Sequence, residues 1–263
     1  MRIGIITDIH GNYVALRTVL QHMGNVDALW CLGDIVGYGP QPNECIEAIS
    51  EYAHLCVPGN HDWGTLGRLD RQAFNRDARA ILEWTLKELT PGNKEYLESL
   101  PLTLTAMTSS FTIVHASPRD PMWEYLLDLF DAAECFPLFH SRYCFVGHTH
   151  VPLIFRNVHG QVKAEVPEPG GRLRISSRPY KKGVEEPGWE RMIVNPGSVG
   201  QPRDGDPRSA YMVLEVPDDT GSADPAGSSL TFVRVPYEIE ETQALMRRLG
   251  FPARLVARLE QGI

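Results

Sequence analysis

The chain has 263 residues, of which 43% are apolar and 22% charged, and a formal net charge of −8. That length sustains a large core without disulfide or metal staples. The acidic balance excludes a general binder of nucleic acid or of membrane surfaces, since both are polyanionic, and at face value it also speaks against phosphate-bearing substrates. No apolar run is long enough to span a bilayer. The first residues, Met1-Arg2-Ile3-Gly4-Ile5-Ile6-Thr7-Asp8, lack the long apolar centre of a signal peptide. Five cysteines at scattered spacings form no C-x-x-C pair. Cys31, Cys56 and Cys144 sit in or beside apolar runs, and Cys45 and Cys135 fall in helical patterns, so all five read as reduced residues of a cytoplasmic protein.

Residues 2–7 read as a strand, 12–23 as a helix, 28–32 as a strand, 42–50 as a helix opened by Pro42 and Asn43, and 54–57 as a strand. Strand–helix alternation with short connections predicts parallel pairing. Residues 62–101 carry no strand pattern and read as a helical insertion, with helices over 76–89 and about 93–100. Residues 102–116 read as two strands around a Ser109-Ser110 turn, followed by a helix near 131–139 and a strand over 143–146. Residues 157–190 predict an irregular or hairpin excursion with a basic spot at 178–182. Strands follow at 192–194, 210–216 and 230–236, the last two paired across a polar loop at 217–229. Helices over 238–249 and 252–261, separated by Gly250, complete a single predicted domain.

Five polar motifs follow directly on apolar runs: Asp8-Ile9-His10, Gly33-Asp34, Gly59-Asn60-His61-Asp62, His115, and Gly147-His148-Thr149-His150. Each therefore sits at the C-terminal end of a predicted strand, the edge where open α/β sheets form their ligand sites. Taken singly, these motifs are ordinary turns, tight bends or a core histidine. Together they deliver carboxylate, imidazole and amide groups to one place. That donor set suits Mn, Fe, Zn, Co or Ni, and no thiolate is offered. In an extended segment D-x-H and H-T-H would each point both side chains the same way. One ion could not easily use every one of these groups, whereas two ions sharing a carboxylate could.

D-x-H, G-D, G-N-H-D, a lone His and G-H-x-H in this order resemble the signature of the calcineurin-like metallophosphoesterases. Asp8-Ile9-His10-Gly11-Asn12 and the later Asn195-Pro196-Gly197-Ser198-Val199-Gly200-Gln201-Pro202-Arg203 are similar to its compact bacterial and archaeal branch of phosphodiesterases and diadenosine tetraphosphatase relatives. The resemblance implies a four-layer α/β/β/α sandwich, two mixed sheets flanked by helices. It also implies two divalent transition-metal ions, manganese foremost. Asp8, His10, Asp34 and His150 would hold one ion, and Asp34, Asn60, His115 and His148 the other, with Asp34 bridging. The implied reaction is attack on phosphorus by a metal-activated hydroxide, with His61, near its ordinary pKa, as general acid and Asp62 as a candidate to orient it.

The implied substrate is a small phosphodiester, phosphomonoester or nucleotide. A symmetrical dinucleoside polyphosphate hydrolase and a protein phosphatase are the alternatives, and a non-catalytic scaffold on the same fold is a remote one. The protein-phosphatase branch continues its second motif as G-D-x-x-D-R-G, but here it reads Gly33-Asp34-Ile35-Val36-Gly37-Tyr38-Gly39, without the acid and the phosphate-gripping arginine. Arg203 is the candidate replacement for that grip, against the alternative of a solvent-facing turn residue. Asn12 either reaches the site or caps the first helix. Tyr38 and Trp63 are the aromatics nearest the motifs, as packing or as a nucleobase platform, and the helical insertion is a candidate lid. Membrane and long nucleic-acid partners are not expected, and a homo-oligomer stays open. Two divalent ions would bring the formal charge from −8 to −4 and place positive charge in the pocket, so the acidic composition does not exclude a single phosphate.

Overall fold

The computed structural model describes residues 1–107, 110–176, 190–217 and 228–263. The Ser109 half of the predicted turn, the basic spot at 178–182 and nearly all of the 217–229 loop lie outside these residues.

The first half of the chain runs β1 (Arg2–Ile6), α1 (Tyr13–Met23), β2 (Ala28–Cys31), α2 (Pro42–Ser50) and β3 (His54–Cys56). Three helices follow, α3 (Asn60–Leu66), α4 (Arg76–Glu88) and α5 (Pro91–Ser99), then β4 (Thr103–Ala106), β5 (Phe111–Val114), α6 (Leu129–Cys135) and β6 (Tyr143–Phe145). The rest comprises β7 (Leu153–Val158), β8 (Gln161–Glu165), β9 (Arg172–Arg174), β10 (Arg191–Asn195), β11 (Ser209–Glu215), β12 (Ser229–Val235), α7 (Ile239–Arg248) and α8 (Ala253–Gln261).

Among the described residues the strands form two six-stranded mixed sheets, ordered β3-β2-β1-β11-β12-β9 and β4-β5-β6-β10-β7-β8. β1, β2 and β3 are parallel, as the strand–helix alternation predicts. β11 then returns antiparallel beside β1 and pairs with β12. The excursion after residue 150 begins earlier than its composition suggested. β7 and β8 form a hairpin, and β9 crosses to the edge of the other sheet.

Side-chain alternation accounts for the layering. Ile3 and Ile5 of β1 and Met212 and Leu214 of β11 face Phe111, Tyr143, Phe145, Met192 and Val194 of the second sheet. Ile6, Tyr211 and Val213 face the other way, onto Val14, Leu16 and Val19 of α1 and Ile46 and Ile49 of α2. On the far side Cys144, Ile193 and Phe155 pack on Ala132 and Cys135 of α6. The result is the four-layer α/β/β/α sandwich. A further apolar cluster ties α4 to α7 and α8 through Ile81, Leu82, Met246, Leu255 and Leu259. Burying both sheet faces supplies the main driving force, on the order of 25 cal/mol per Å² of apolar surface.

The helical segment between the first and second sheets starts two residues before the predicted boundary at 62, so Asn60 and His61 lie in the first turn of α3. The cap is built from within: Asp62 Oδ2 accepts from the Gly59 amide at 2.8 Å.

Candidate metal centre

All five motifs meet at one end of the sandwich, on the seam between the sheets. β1 and β2 deliver Asp8, His10 and Asp34, while β5 and β6 deliver His115, His148 and His150. Each of these six residues is at most 2% exposed. Ligating atoms of Asp8, His10, Asp34 and His150 lie within 4.8 Å of one another, and so do those of Asp34, His115 and His148. Asp34 is common to both groups. Its Oδ2 lies 3.5 Å from His10 Nε2 and 3.4 Å from His115 Nε2, and its Oδ1 accepts from the His61 amide at 2.8 Å.

The side chains converge by a route other than strand alternation. Asp8, His10, Asp34, His148 and His150 all have left-handed backbones, with φ of 52°, 51°, 52°, 64° and 61°. The D-x-H and H-T-H segments are therefore tight turns, and the extended geometry expected of them is corrected. Asp and His tolerate this region better than most residues, but it still stores strain.

Main-chain carbonyls orient the imidazoles. His10 Nδ1 meets Val36 O at 3.3 Å, His115 Nδ1 meets Leu32 O at 2.8 Å, and His150 Nδ1 meets Gln201 O at 2.6 Å. Each contact leaves Nε2 turned to the centre. His148 is held the other way round, with Nε2 3.3 Å from Trp123 O. Asp8 receives the His148 amide and the Thr7 hydroxyl, the latter at 2.8 Å.

These groups fit a pair of divalent cations. Asn60 Oδ1 and His115 Nε2 are buried without a hydrogen-bond partner. His10 Nε2 and His150 Nε2 face each other at 3.1 Å, an arrangement in which one ring must donate or a cation must stand between them.

Charge regulation follows from burial and proximity. Burial alone would raise the Asp34 pKa, but His115, His61 and His10 outweigh it and hold the carboxyl well below its usual range. Burial would lower His115, yet Asp34 raises it to about 9. Burial, reinforced by His115, lowers His148 to about 3. Burial also takes His61 down to about 4, with Asp34 opposing and Arg203, His150 and His115 assisting. In the metal-free site this direction departs from the ordinary pKa expected of His61. Its Nδ1 is buried and unpartnered. Gly37 leaves it room: at φ of 91°, a Cβ there would lie 2.7 Å from that nitrogen.

Asp62 does not orient His61 through a hydrogen bond. Its Oδ1 and Oδ2 accept from the Val36 and Gly59 amides, pinning the two loops that carry Asp34 and Asn60. Asn12 caps α1 and is fully engaged. Its Oδ1 accepts from the Ala15 amide and the Thr242 hydroxyl, and its Nδ2 donates to Gly200 O and the Tyr237 hydroxyl. The 195–203 loop laces the sheets together: the Gly200 amide donates to Asp8 O, and Asn195 Nδ2 donates to Gly147 O. At its end Arg203 lies at the rim of the centre, half-buried, with Nε buried and unpartnered.

Tyr38 joins the site directly, its ring 4.8 Å from His10 and 4.4 Å from His61. Trp63 carries Arg68 over its ring at 5.3 Å. Tyr125 and Arg258 are among the site neighbours without a sequence signal. Tyr125 stands 4.1 Å from the His148 ring, and Arg258 reaches Tyr38 from α8.

Residues 1–219 match the family model for the calcineurin-like phosphoesterase superfamily domain. The chain belongs to the calcineurin-like phosphoesterases. As such it is a phosphoester hydrolase on a divalent-metal fold. The phosphoesterase is 33% identical to an uncharacterized protein of Methanocaldococcus jannaschii over 99% of this chain and 98% of the other. It is similar to the crystal structure of a metallophosphoesterase from Sphaerobacter thermophilus, at 44% identity and a TM-score of 0.83, covering 100% of this chain and 99% of that one. It is also 26% identical to the symmetrical bis(5′-nucleosyl)-tetraphosphatase of Proteus mirabilis, over 68% of this chain and 65% of that enzyme.

Proposed function

We propose that this phosphoesterase is a single-domain, two-metal hydrolase of small phosphorylated substrates. The observation that carries the reading is the buried Asp34 carboxylate shared by two ligand clusters. Asp8, His10, Asp34 and His150 would hold one divalent ion, and Asp34, Asn60, His115 and His148 the other, with manganese the favoured metal. Such a pair would supply Lewis-acid polarisation of phosphoryl oxygens and would lower the pKa of a bound water.

The chain's own residues do the rest. The three Nδ1–carbonyl contacts fix ring orientation before substrate arrives. The buried carboxylates and imidazoles exclude bulk water from the reacting centre. His61, on the first turn of α3, delivers a proton to the leaving oxygen, and Arg203 neutralises charge on the phosphoryl oxygens. Asn12 supports this geometry through the α1 cap and its bond to the 195–203 loop. Five free, buried cysteines and the absence of any membrane-spanning helix among the described residues support a cytoplasmic location.

A second reading, symmetrical cleavage of a dinucleoside polyphosphate, is favoured by the similarity to the Proteus mirabilis tetraphosphatase. A screen of chelated and metal-reconstituted protein tests both. The substrates are bis-p-nitrophenyl phosphate, p-nitrophenyl phosphate, diadenosine tetraphosphate and a phosphopeptide, crossed with Mn, Fe, Zn, Co and Ni. Metal-dependent turnover of a small ester supports the first reading, and preference for the tetraphosphate supports the second. Turnover confined to the phosphopeptide overturns both.

A further inference from the structure

We infer that Glu124 is a positioning residue for the metal centre: it locks the turn that carries the Trp123 carbonyl, and that carbonyl holds His148 in the tautomer that offers Nδ1 to an ion. The inference rests on the two-metal reading. It gives a residue outside the ligand set the role of setting how tightly one ion is held, the one at Asp34, Asn60, His115 and His148. Residues 116–128, between β5 and α6, supply none of the proposed ligands, yet they make the contact on His148.

A carbonyl oxygen can only accept, so the 3.3 Å contact from His148 Nε2 to Trp123 O requires the proton on Nε2. A ligating imidazole is neutral, and its lone pair is then left on Nδ1. The other three rings take their carbonyls from segments that belong to the centre itself. Leu32 and Val36 flank Asp34, and Gln201 lies in the 195–203 loop, whose Gly200 amide donates to Asp8 O. For His148 the orienting oxygen stands on a turn with neither strand nor helix beneath it. Tyr125, two residues further on, lays its ring 4.1 Å from that of His148, so the same turn touches both the edge and the face of this ligand.

Glu124 ties this turn at both ends. Its Oε2 accepts from the hydroxyl of Ser117, two residues beyond His115, and from the Cys135 thiol of α6 at 3.6 Å. Its Oε1 accepts from Arg119 Nε at 2.8 Å, and Arg119 Nη2 reaches on to Asp131 of α6 at 2.5 Å. Between these ties, Asp120 Oδ1 accepts from the Met122 and Trp123 amides at 3.0 and 3.2 Å, and the Ala116 amide donates to Pro121 O at 3.0 Å. The Glu124 side chain is 12% exposed. Burial would raise its pKa, but Arg119 and Ser117 outweigh it and keep the carboxyl below its usual range. A charged, mostly buried acid thus joins the segment after His115 to α6, and the next residue back, Trp123, has its oxygen fixed by that junction. Loss of such an outer partner of a metal ligand costs about 10- to 100-fold in metal affinity.

Two measurements on the full chain test the assignment without turnover. Long-range proton–nitrogen spectra of the histidine rings in chelated protein should show His148 protonated on Nε2 in the wild type and mixed between tautomers in Glu124→Ala. Calorimetric titration with manganese should show two binding phases, one of them weakened about tenfold or more in Glu124→Ala. Asn60→Ala, which removes a proposed ligand of the same ion, should weaken that same phase, while Glu124→Ala shifts the other phase by less than about twofold. Glu241→Ala, which cuts an exposed 3.2 Å pair with Arg17, should change neither phase. Melting temperature serves as the folding control, and if Glu124→Ala misfolds, Arg119→Gln at the exposed end of the lock carries the comparison. A single Nε2–H tautomer in the variant, equal weakening of both phases, or weakening of neither overturns the assignment. Fewer than two ions in the wild type would overturn the two-metal reading instead, and the tautomer comparison would still decide the role of Glu124.

Discussion

Replacing His61 by glutamine probes the proton donor directly. The ring is buried, packed 4.4 Å from Tyr38 and 5.2 Å from Phe74, and its Nδ1 has no partner. Burial and the surrounding cations lower its pKa from 6.5 to about 4, which corresponds to roughly 3 kcal/mol against the imidazolium. A phosphoryl group entering beside the ring adds negative charge and acts as Asp34 already does, raising the pKa in the complex. The pH limb assigned to His61 should therefore lie higher in kcat, which reports the complex, than in kcat/KM, which reports the free enzyme. Glutamine keeps the size and polarity of the side chain but cannot give up a proton. The variant should lose about 10²- to 10³-fold in kcat on an alkyl phosphoester. On a p-nitrophenyl ester, whose leaving group departs without a proton, the loss should stay below about tenfold. Elemental analysis should find its metal content unchanged. Equal losses on both esters, or a limb in kcat at or below that in kcat/KM, would refute the reasoning.

Asp34→Asn should reduce bound metal from two ions towards one or none and nearly abolish turnover; two tightly held ions would contradict the shared role. In metal-free protein the folded His115 pKa of about 9 exceeds the ordinary 6.5. Its stabilising contribution is thus complete below pH 6.5 and lost as pH rises through about 9. A ligating imidazole must be neutral, so metal loading at pH 7 should expel protons and the apparent affinity should rise with pH. Calorimetry in buffers of different ionisation enthalpy reads that release, and its absence would count against His115 as a ligand. Asp62→Asn leaves one of two buried amides facing an NH2 group, which should cost about 1–3 kcal/mol in urea denaturation; a loss under about 0.5 kcal/mol would show that the pinning bonds do not matter.

The strand-end motifs were legible because each follows an apolar run, and the runs did become strands that stop at the site. The edge strands β8 and β9 were not, since an edge strand in solvent has no burial alternation to betray it. The double reading of Asn12 is resolved by the local cap bond from the Ala15 amide together with partners more than 220 residues away, Tyr237 and Thr242. The depressed pKa of His61 comes from desolvation, which no linear pattern displays. Arg258 and Tyr125 escaped notice for a related reason: their proximity to the centre is produced by helix docking and loop path, not by any local signature.

The left-handed backbones of Asp8, His10, Asp34, His148 and His150 bear on how such a chain could change. Each costs on the order of 1 kcal/mol, so together they draw on a reserve that is about 5–15 kcal/mol in ordinary domains. Glycine at any of the five would relax the turn while deleting a ligand, but at Asp8 or Asp34 it would also strand the buried amides of His148 and His61. A population screened for heat tolerance alone should therefore release the three histidines before the two aspartates. One screened for turnover should hold them fixed, so the contrast between the two selections would map the centre without a substrate in hand.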